Sequence, residues 1–385
     1  MMMINNVRMA GTGEVVNIRV DGDKITNISS SAVADENDKF ALTFNNAIVF
    51  PGLINSHDHL DFNLFPQLGN RIYSNYTAWG KDIHKTYKEE ISKVLKVPPL
   101  LRSQWGVYKN LLCGVTTVVN HGERSGLEDD LITVFERTQC LHSVRFEKGW
   151  RLKLNNPFKP NFPVTIHVGE GDDWLSYNEI DKLTRWNLLQ KRLIGIHAVA
   201  MTISQAKKFE AIVWCPQSNY FLLNKTARIN LLQKHTGILF GTDSTLTSSW
   251  NIWEHLQSAR KARLLSDNAL YSAVNQNAAK TWKLNSGEIA AGKGADLVVA
   301  KKKPGSTGFA AFFGIDPADL LIVIHKGNIR LFDYTLLAQL KTVDLNSFSK
   351  IYVNGACKYV QGDLPALIKK IREYHPEINF PVTVK

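Results

Sequence analysis

The sequence predicts an α/β barrel joined to a β domain that is built from both ends of the chain. Three observations carry that reading. The middle of the chain alternates short apolar runs with helical stretches, and both ends have the texture of short strands and turns. Four of the central apolar runs also end in a histidine or an aspartate. Continuous apolar strands alternating with helices argue for a parallel sheet buried on both faces.

Taken in order, Glu14–Val20 alternates in part, and Asp21-Gly22 is a hairpin signal. Ala47–Phe50 is a short apolar run that stops at Pro51-Gly52. The texture then changes. Val115–Val119, Val164–Val168, Leu193–His197, Ile212–Cys215 and Ile238–Gly241 read as strands. Leu100-Leu101, Trp105, Tyr108 and Leu111-Leu112 recur at helical spacing. After about Lys283 the pattern returns to strands, at Gly287–Ile289, Ala295–Val299, Leu320–Ile324 and Ile351–Val353, with a terminal helix expected over Leu364–Tyr374. The expected division is 1–50 with 284–385 as the β domain and 51–283 as the barrel.

Composition excludes several classes. With 385 residues, 44% hydrophobic and 21% charged, the chain has an ordinary globular make-up and is long enough for a large core. The net charge of +11 favours anionic partners, yet the cations are scattered and the tightest run is only Lys301-Lys302-Lys303. A nucleic-acid footprint should cluster on one element, so none is expected. Cys113, Cys140, Cys215 and Cys357 lie far apart without CxxC spacing, which points to a reducing cytoplasm. The start, Met1 to Gly11, has no apolar core of a signal peptide. No stretch approaches the roughly 18 apolar residues that span a bilayer. The expected partner is a small-molecule substrate, with no membrane, for a chain that acts alone or as a homodimer.

The polar residues at strand ends carry the chemistry. His57-Asp58-His59 follows Gly52–Asn55, His167 lies within Thr165–Val168, His197 ends Ile194–Ile196, and Asp243 follows Leu239–Thr242. In a parallel barrel these ends converge on one face. An HxH pair on an extended strand points both imidazoles the same way. Three imidazoles and a carboxylate suit one divalent ion, zinc first and iron second, which would lower the pKa of a bound water. For any one of these histidines alone, a satisfied core residue is the competing explanation.

Pro51–Leu60 (PGLINSHDHL) closely resembles the opening signature of the amidohydrolase superfamily. His167–Gly171, Ile196–Val199, Cys215–Asn219 and Gly241–Ser244 resemble its later blocks in order, and Gly287–Val299 resembles the return into its β-sandwich. The resemblance implies a distorted (β/α)8 TIM-like barrel plus a small β-sandwich, with a metal-dependent hydrolase site of the mononuclear aminohydrolase and chlorohydrolase type. It further implies that His57, His59, His167 and Asp243 hold the metal and that Glu170 is the proton donor. His197 would orient the water, and Asp243 would double as its base. A rival binuclear site needs a carboxylated lysine on strand four. Lys148 and Lys153 lie only 19 and 14 residues before His167, short of the about 30 residues of a strand–helix–strand unit.

The implied reaction is attack on a non-peptide carbon–nitrogen bond, foremost deamination of an amino-substituted heterocycle. Cyclic amide opening and dechlorination are the alternatives, and a non-catalytic binding relative is the rival from another class. Phe62, Phe65, Tyr73, Tyr76 and Trp79 follow the histidine pair. They read either as an aromatic wall for a planar substrate or as the small core of a loop. Phe62, Trp79, His121, Ser218 and Asn219 are the expected substrate contacts. One departure stands out. Only 47 residues separate Asn120 from His167, where the resemblance implies three strands and their helices. A helix is expected over Gly126–Arg137, with short strands over Leu141–Phe146 and Trp150–Leu154, so the barrel should be abbreviated around strands 3–4 with an outer helix missing.

Overall fold

The computed structural model describes residues 1–30, 40–122, 126–127 and 130–384. The N-terminal strands are β1 (Met2–Met9), β2 (Val15–Asp21), β3 (Lys24–Ser29), β4 (Phe40–Thr43) and β5 (Ala47–Pro51). Eight parallel strands follow: β6 (Leu53–Asp58), β7 (Val115–Asn120), β8 (Thr133–Phe135), β9 (Gln139–Ser143), β10 (Val164–Val168), β11 (Leu193–His197), β12 (Ala211–Trp214) and β13 (Gly237–Phe240). The last set is β14 (Leu297–Lys301), β15 (Leu320–His325), β16 (Asn328–Asp333), β17 (Phe348–Val353), β18 (Ala356–Gln361) and β19 (Val382–Val384).

The two end sets share one sheet, ordered β19-β17-β18-β16-β15-β14-β5-β1-β2-β3, with β4 on β1. They meet where β14 lies antiparallel to β5, Val299 opposite Val49. Ile4, Ile18, Leu42, Val49, Val299, Ile322 and Phe332 bury one another in a core of their own, so the sheet folds back on itself. The terminal helix spans Leu364–Tyr374, its first turn capped by the Asp363 carboxylate, which accepts from Ala366 N.

The parallel strands form the barrel in two arcs, β6-β7-β8 and β9 to β13. Strands β10, β11 and β12 are buried along their whole length, as expected of a sheet covered on both faces. Alternate residues go to separate cores: Ile212 and Trp214 to one, Ala211 and Val213 to another. At the seam between the first and last strands, Thr242 N and Asp243 N both donate to His57 O at 3.1 Å.

The shortened sector is real, but two elements within it differ from expectation. In place of a helix over Gly126–Arg137 the chain forms β8, paired parallel to β7; residues 128 and 129 of that span lie outside the described residues. Thr133, Val134 and Phe135 are β-branched or aromatic and fit a pleated surface. Trp150–Leu154 is a short helix rather than a strand. Its alternation looked strand-like, but Trp150 and Leu154 are buried while Leu152 is 82% exposed. That is the i, i+4 pattern of one helical turn. Among the described residues no helix separates β7 from β8 or β8 from β9, and five helical residues are all that precede β10. No helix among the described residues is long and apolar enough to cross a membrane.

The helix Pro99–Leu111 packs directly under the loop after β6. A methyl group added at Gly106 would lie 2.3 Å from Leu60 O, so only glycine allows that approach. Gly106→Ala is expected to destabilise the fold by about 1–3 kcal/mol, read as a lowered melting temperature by circular dichroism.

Candidate metal centre and active-site cavity

His57 is the penultimate residue of β6 and His59 follows its end, so the strand period puts both rings on one side, 4.9 Å apart. His167 comes from β10. Its Nδ1 donates to His142 O at 2.7 Å, which leaves Nε2 free, 3.3 Å from His59 Nε2. Asp243 lies just past β13 in the left-handed region at φ +58°. Its Oδ1 is 3.7 Å from the Nε2 atoms of both His57 and His59. Ser218 Oγ and Thr247 Oγ1 donate to its Oδ2 at 2.8 and 3.0 Å. His197, at φ +68°, turns its Nδ1 to Asn219 Oδ1 at 2.9 Å. Its Nε2 stands 3.7 Å from Glu170 Oε1 and 4.0 Å from Asp243 Oδ2. Two non-glycine residues with positive φ, at the ends of β11 and β13, mark backbone strain held by the surrounding structure.

Ligand atoms of His57, His59 and His167 lie within 4.8 Å of one another, as do those of His57, His197 and Asp243. His57 Nε2 is buried without a hydrogen-bond partner. A buried polar atom left unpaired beside two other imidazoles and a carboxylate fits a divalent cation. Burial and the neighbouring His57 bring His59 down to about 3, and burial brings His197 down to about 4. Both rings are therefore neutral, the form that binds metal. The two carboxyls are driven apart. Burial, with Asp243 and Glu179 nearby, holds Glu170 well above the usual carboxylate range. Burial pushes Asp243 the same way, but the imidazoles of His57, His59 and His197 outweigh it and hold that carboxyl well below.

The centre opens into a cavity of about 620 Å³. Its floor is His59, His167, Glu170, His197 and Asp243, and its walls include Phe62, Tyr76, Trp79, Ile83, Phe146 and Leu246. Phe62 stacks on His59 at 5.3 Å, and Trp79 is pinned by its indole N–H donating to Leu68 O at 2.7 Å. Lys81 and His84 are also at the cavity.

Residues 159–330 match the amidohydrolase family. The 5'-deoxyadenosine deaminases of Methanococcus vannielii and Methanococcus maripaludis are each 22% identical to this chain, over 76% of it and 84% of their own length. An adenosine deaminase from Xanthomonas campestris with bound zinc superposes with a TM-score of 0.74 at 15% identity, over 97% of this chain and 98% of that one. A mutant atrazine chlorohydrolase from Arthrobacter aurescens, complexed with zinc and atraton, gives 0.71 at 15% identity, over 98% and 100%. The chain thus carries the amidohydrolase pattern over residues 159–330 and shares the fold of these solved structures.

The binuclear rival loses its lysine. Strand four of the barrel is β9, Gln139–Ser143, which carries none, and Lys153 lies in the short helix paired with Glu147. Of the expected substrate contacts, Phe62 and Trp79 line the cavity. Ser218 and Asn219 do not: both are fully buried, supporting Asp243 and His197 from below. Asn219 is fixed in turn, since its amide N–H donates to Thr226 Oγ1 at 3.2 Å. His121 lies behind the centre, its ring 4.4 Å from that of His167, and lines a separate cavity with Arg102 and Glu147. Tyr76 joins the wall, whereas Phe65 is in the main core and Tyr73 is tied to Asp82 Oδ2 at 2.7 Å.

Sequence reasoning missed His142, within β9, and Phe146, just past it, both at the cavity. A strand is expected there, over Leu141–Phe146, but His142 falls inside that span rather than at its end, so it does not stand out as a polar strand end. It also missed the role of Asp58, which points away from the two histidines. Lys109 Nζ, from the helix beneath, meets Asp58 Oδ2 at 2.9 Å, and both side chains are shut off from solvent. Asn110 and Asn63 donate to the same carboxylate at 2.7 and 2.9 Å. Removing one partner would strand a buried charge. Lys109→Met should cost about 3–5 kcal/mol in urea unfolding, and adding Asp58→Asn should recover part of that loss.

Proposed function

We propose that this chain is a metal-dependent hydrolase that deaminates an amino-substituted heterocycle. The observation that carries the reading is the opposed pair Glu170 and Asp243, one held protonated and the other ionised, on either side of His197. Environments that push two carboxyl groups apart assign an acid and a base. His57, His59, His167 and Asp243 would hold one divalent ion, zinc in preference to iron, since the similar adenosine deaminase and chlorohydrolase both carry zinc. Such an ion supplies Lewis acidity, bringing the pKa of a water towards neutrality. Every group named lies within residues 51–283, which we read as the catalytic domain, with 1–50 and 284–385 as the accompanying one.

The chain's own residues divide the work. Asp243 accepts the proton of the attacking water, and His197, fixed by Asn219, holds that water in line. Glu170 gives its proton to the ring nitrogen, takes up the hydroxyl proton of the addition product and passes that one to the amine as the carbon–nitrogen bond breaks, and the proton held by Asp243 then restores Glu170. Phe62, Trp79, Phe146 and Leu246 bound an apolar slot for the ring, consistent with a planar substrate of low polarity. A nitrogen leaving group fits better than chloride, which departs without a proton and so needs only the first of Glu170's two donations.

The test is metal analysis of the purified protein followed by a screen of amino-heterocycles for ammonia release. Stoichiometric zinc or iron, and ammonia from at least one ring, are expected; protein that takes up neither ion even after reconstitution would sink the reading. Glu170→Gln should lower kcat by roughly 10²–10⁴-fold with metal content unchanged. The sign of the pH dependence follows from the two groups. Asp243 must be ionised, so turnover falls as pH drops through its depressed pKa. Glu170 must be protonated, so turnover falls as pH rises through its raised pKa. That alkaline limb should be missing from the residual rate of Glu170→Gln.

A further inference from the structure

Among the described residues, nine of the eighteen exposed large apolar side chains fall between 146 and 189. The abbreviated sector explains why. Only the five-residue helix Trp150–Leu154 stands where a full outer helix would flank the next one, Trp174–Trp186. That longer helix buries Ser176, Glu179, Ile180 and Leu183 against the barrel and leaves apolar groups bare at both ends. Trp174 and Leu175 are 70% and 54% exposed at its start, and Leu188 and Leu189 are 66% and 50% exposed just past its end. The second end is one continuous surface. The Arg151 guanidinium lies 5.0 Å over Trp150 and 4.7 Å over Trp186, and Asn155 Oδ1 accepts from Leu188 N and Leu189 N at 3.0 and 3.2 Å. Phe158, 91% exposed, stands on the adjoining loop.

We propose that this flank is the interface of a two-fold homodimer in which the helices Trp174–Trp186 of two copies pack antiparallel. Two features select a second copy as the occupant. The first is charge. Asp172 and Asp173, which precede the helix, are paired within the chain to Lys225 and Arg145, while Lys182 and Arg185 near its end are exposed and have no carboxylate partner among the described residues. Antiparallel pairing sets the start of each copy's helix, with its charge-balanced aspartates, Trp174 and Leu175, against the partner copy's basic end with its exposed leucines. A parallel arrangement would set the basic ends against each other. Antiparallel pairing also opposes the helix dipoles favourably, and a two-fold contact requires such a self-complementary patch. The second feature is area. With 150–250 Å² per aromatic side chain, two tryptophans, a phenylalanine and the neighbouring leucines offer on the order of 800 Å² per copy, what a stable interface uses.

Sedimentation velocity on the full chain at micromolar concentration tests this. The expected mass is twice the chain's 43.3 kDa. Leu188→Glu should raise the dimer dissociation constant ~30-fold or more with an unchanged melting temperature, because the side chain is exposed in the single copy. If that variant misfolds, Lys182→Glu, also on the exposed face, should weaken the dimer in low salt. A cysteine pair, Trp174→Cys with Leu189→Cys, should cross-link between copies under mild oxidation. A wild-type chain that sediments as a monomer overturns the proposal, as does a dimer that Leu188→Glu leaves intact. A monomer that instead binds anionic phospholipid vesicles through this flank would also overturn it, assigning the surface to lipid.

Discussion

The barrel's chemistry rests on a buried polar web under its first strand. Asn55, Asp58, Asn63, Lys109 and Asn110 are all removed from solvent and bonded to one another. Asn55 extends the web across the seam: its amide donates to Thr242 Oγ1 at 2.8 Å, and its oxygen accepts from Thr242 N at 3.1 Å. One asparagine thus ties the strand bearing His57 to the turn bearing Asp243. Charges buried in this way cost more than they return unless every polar atom is satisfied. Fixing the distance between His57 and Asp243 is the return that the site needs.

Strain and close packing complete what the web begins. Asp243 and His197 both occupy the left-handed region, costing on the order of 1–3 kcal/mol each. Gly241 accounts for the fit beside Asp243, since a Cβ there would come within 2.8 Å of the His57 Cβ. The two strand ends therefore touch backbone to side chain, with no slack for the carboxylate to drift. Ser218, Thr247 and Asn219 then hold the functional side chains in orientation from below. The cavity above needs few polar groups of its own, because the reacting ones are already positioned from the floor.

The abbreviated sector is the structural cost and the distinctive feature of this chain. Strand β9, which carries His142, is followed by only one turn and a half of helix, and Phe146 reaches the cavity from a stretch that elsewhere in the barrel feeds an outer helix. The same economy bares the flank of the helix Trp174–Trp186. A single shortening of the chain thus shapes both the wall of the site and the outer surface.

The sequence by itself determined the strand ends and the set of histidines and acids that terminate them. Apolar runs with one polar residue at the end are local signals, and a parallel barrel brings such ends together by its geometry. The shortened sector was also foreseen, from the 47 residues between Asn120 and His167 set against the three strands that the family resemblance implies there. The sequence did not resolve that sector, because alternation over five residues, as in Trp150–Leu154, fits one helical turn as well as a strand. Only the tertiary structure decided which side chains face the cavity. Ser218 and Asn219 carry the same chemistry whether they meet a substrate or support Asp243 and His197, and His142 becomes visible only when β9 delivers it beside His167. The role of Lys109 was equally hidden, since it faces Asp58 across more than fifty residues of chain. Contacts between distant segments depend on how helices dock against strands, and no local pattern of residues encodes that.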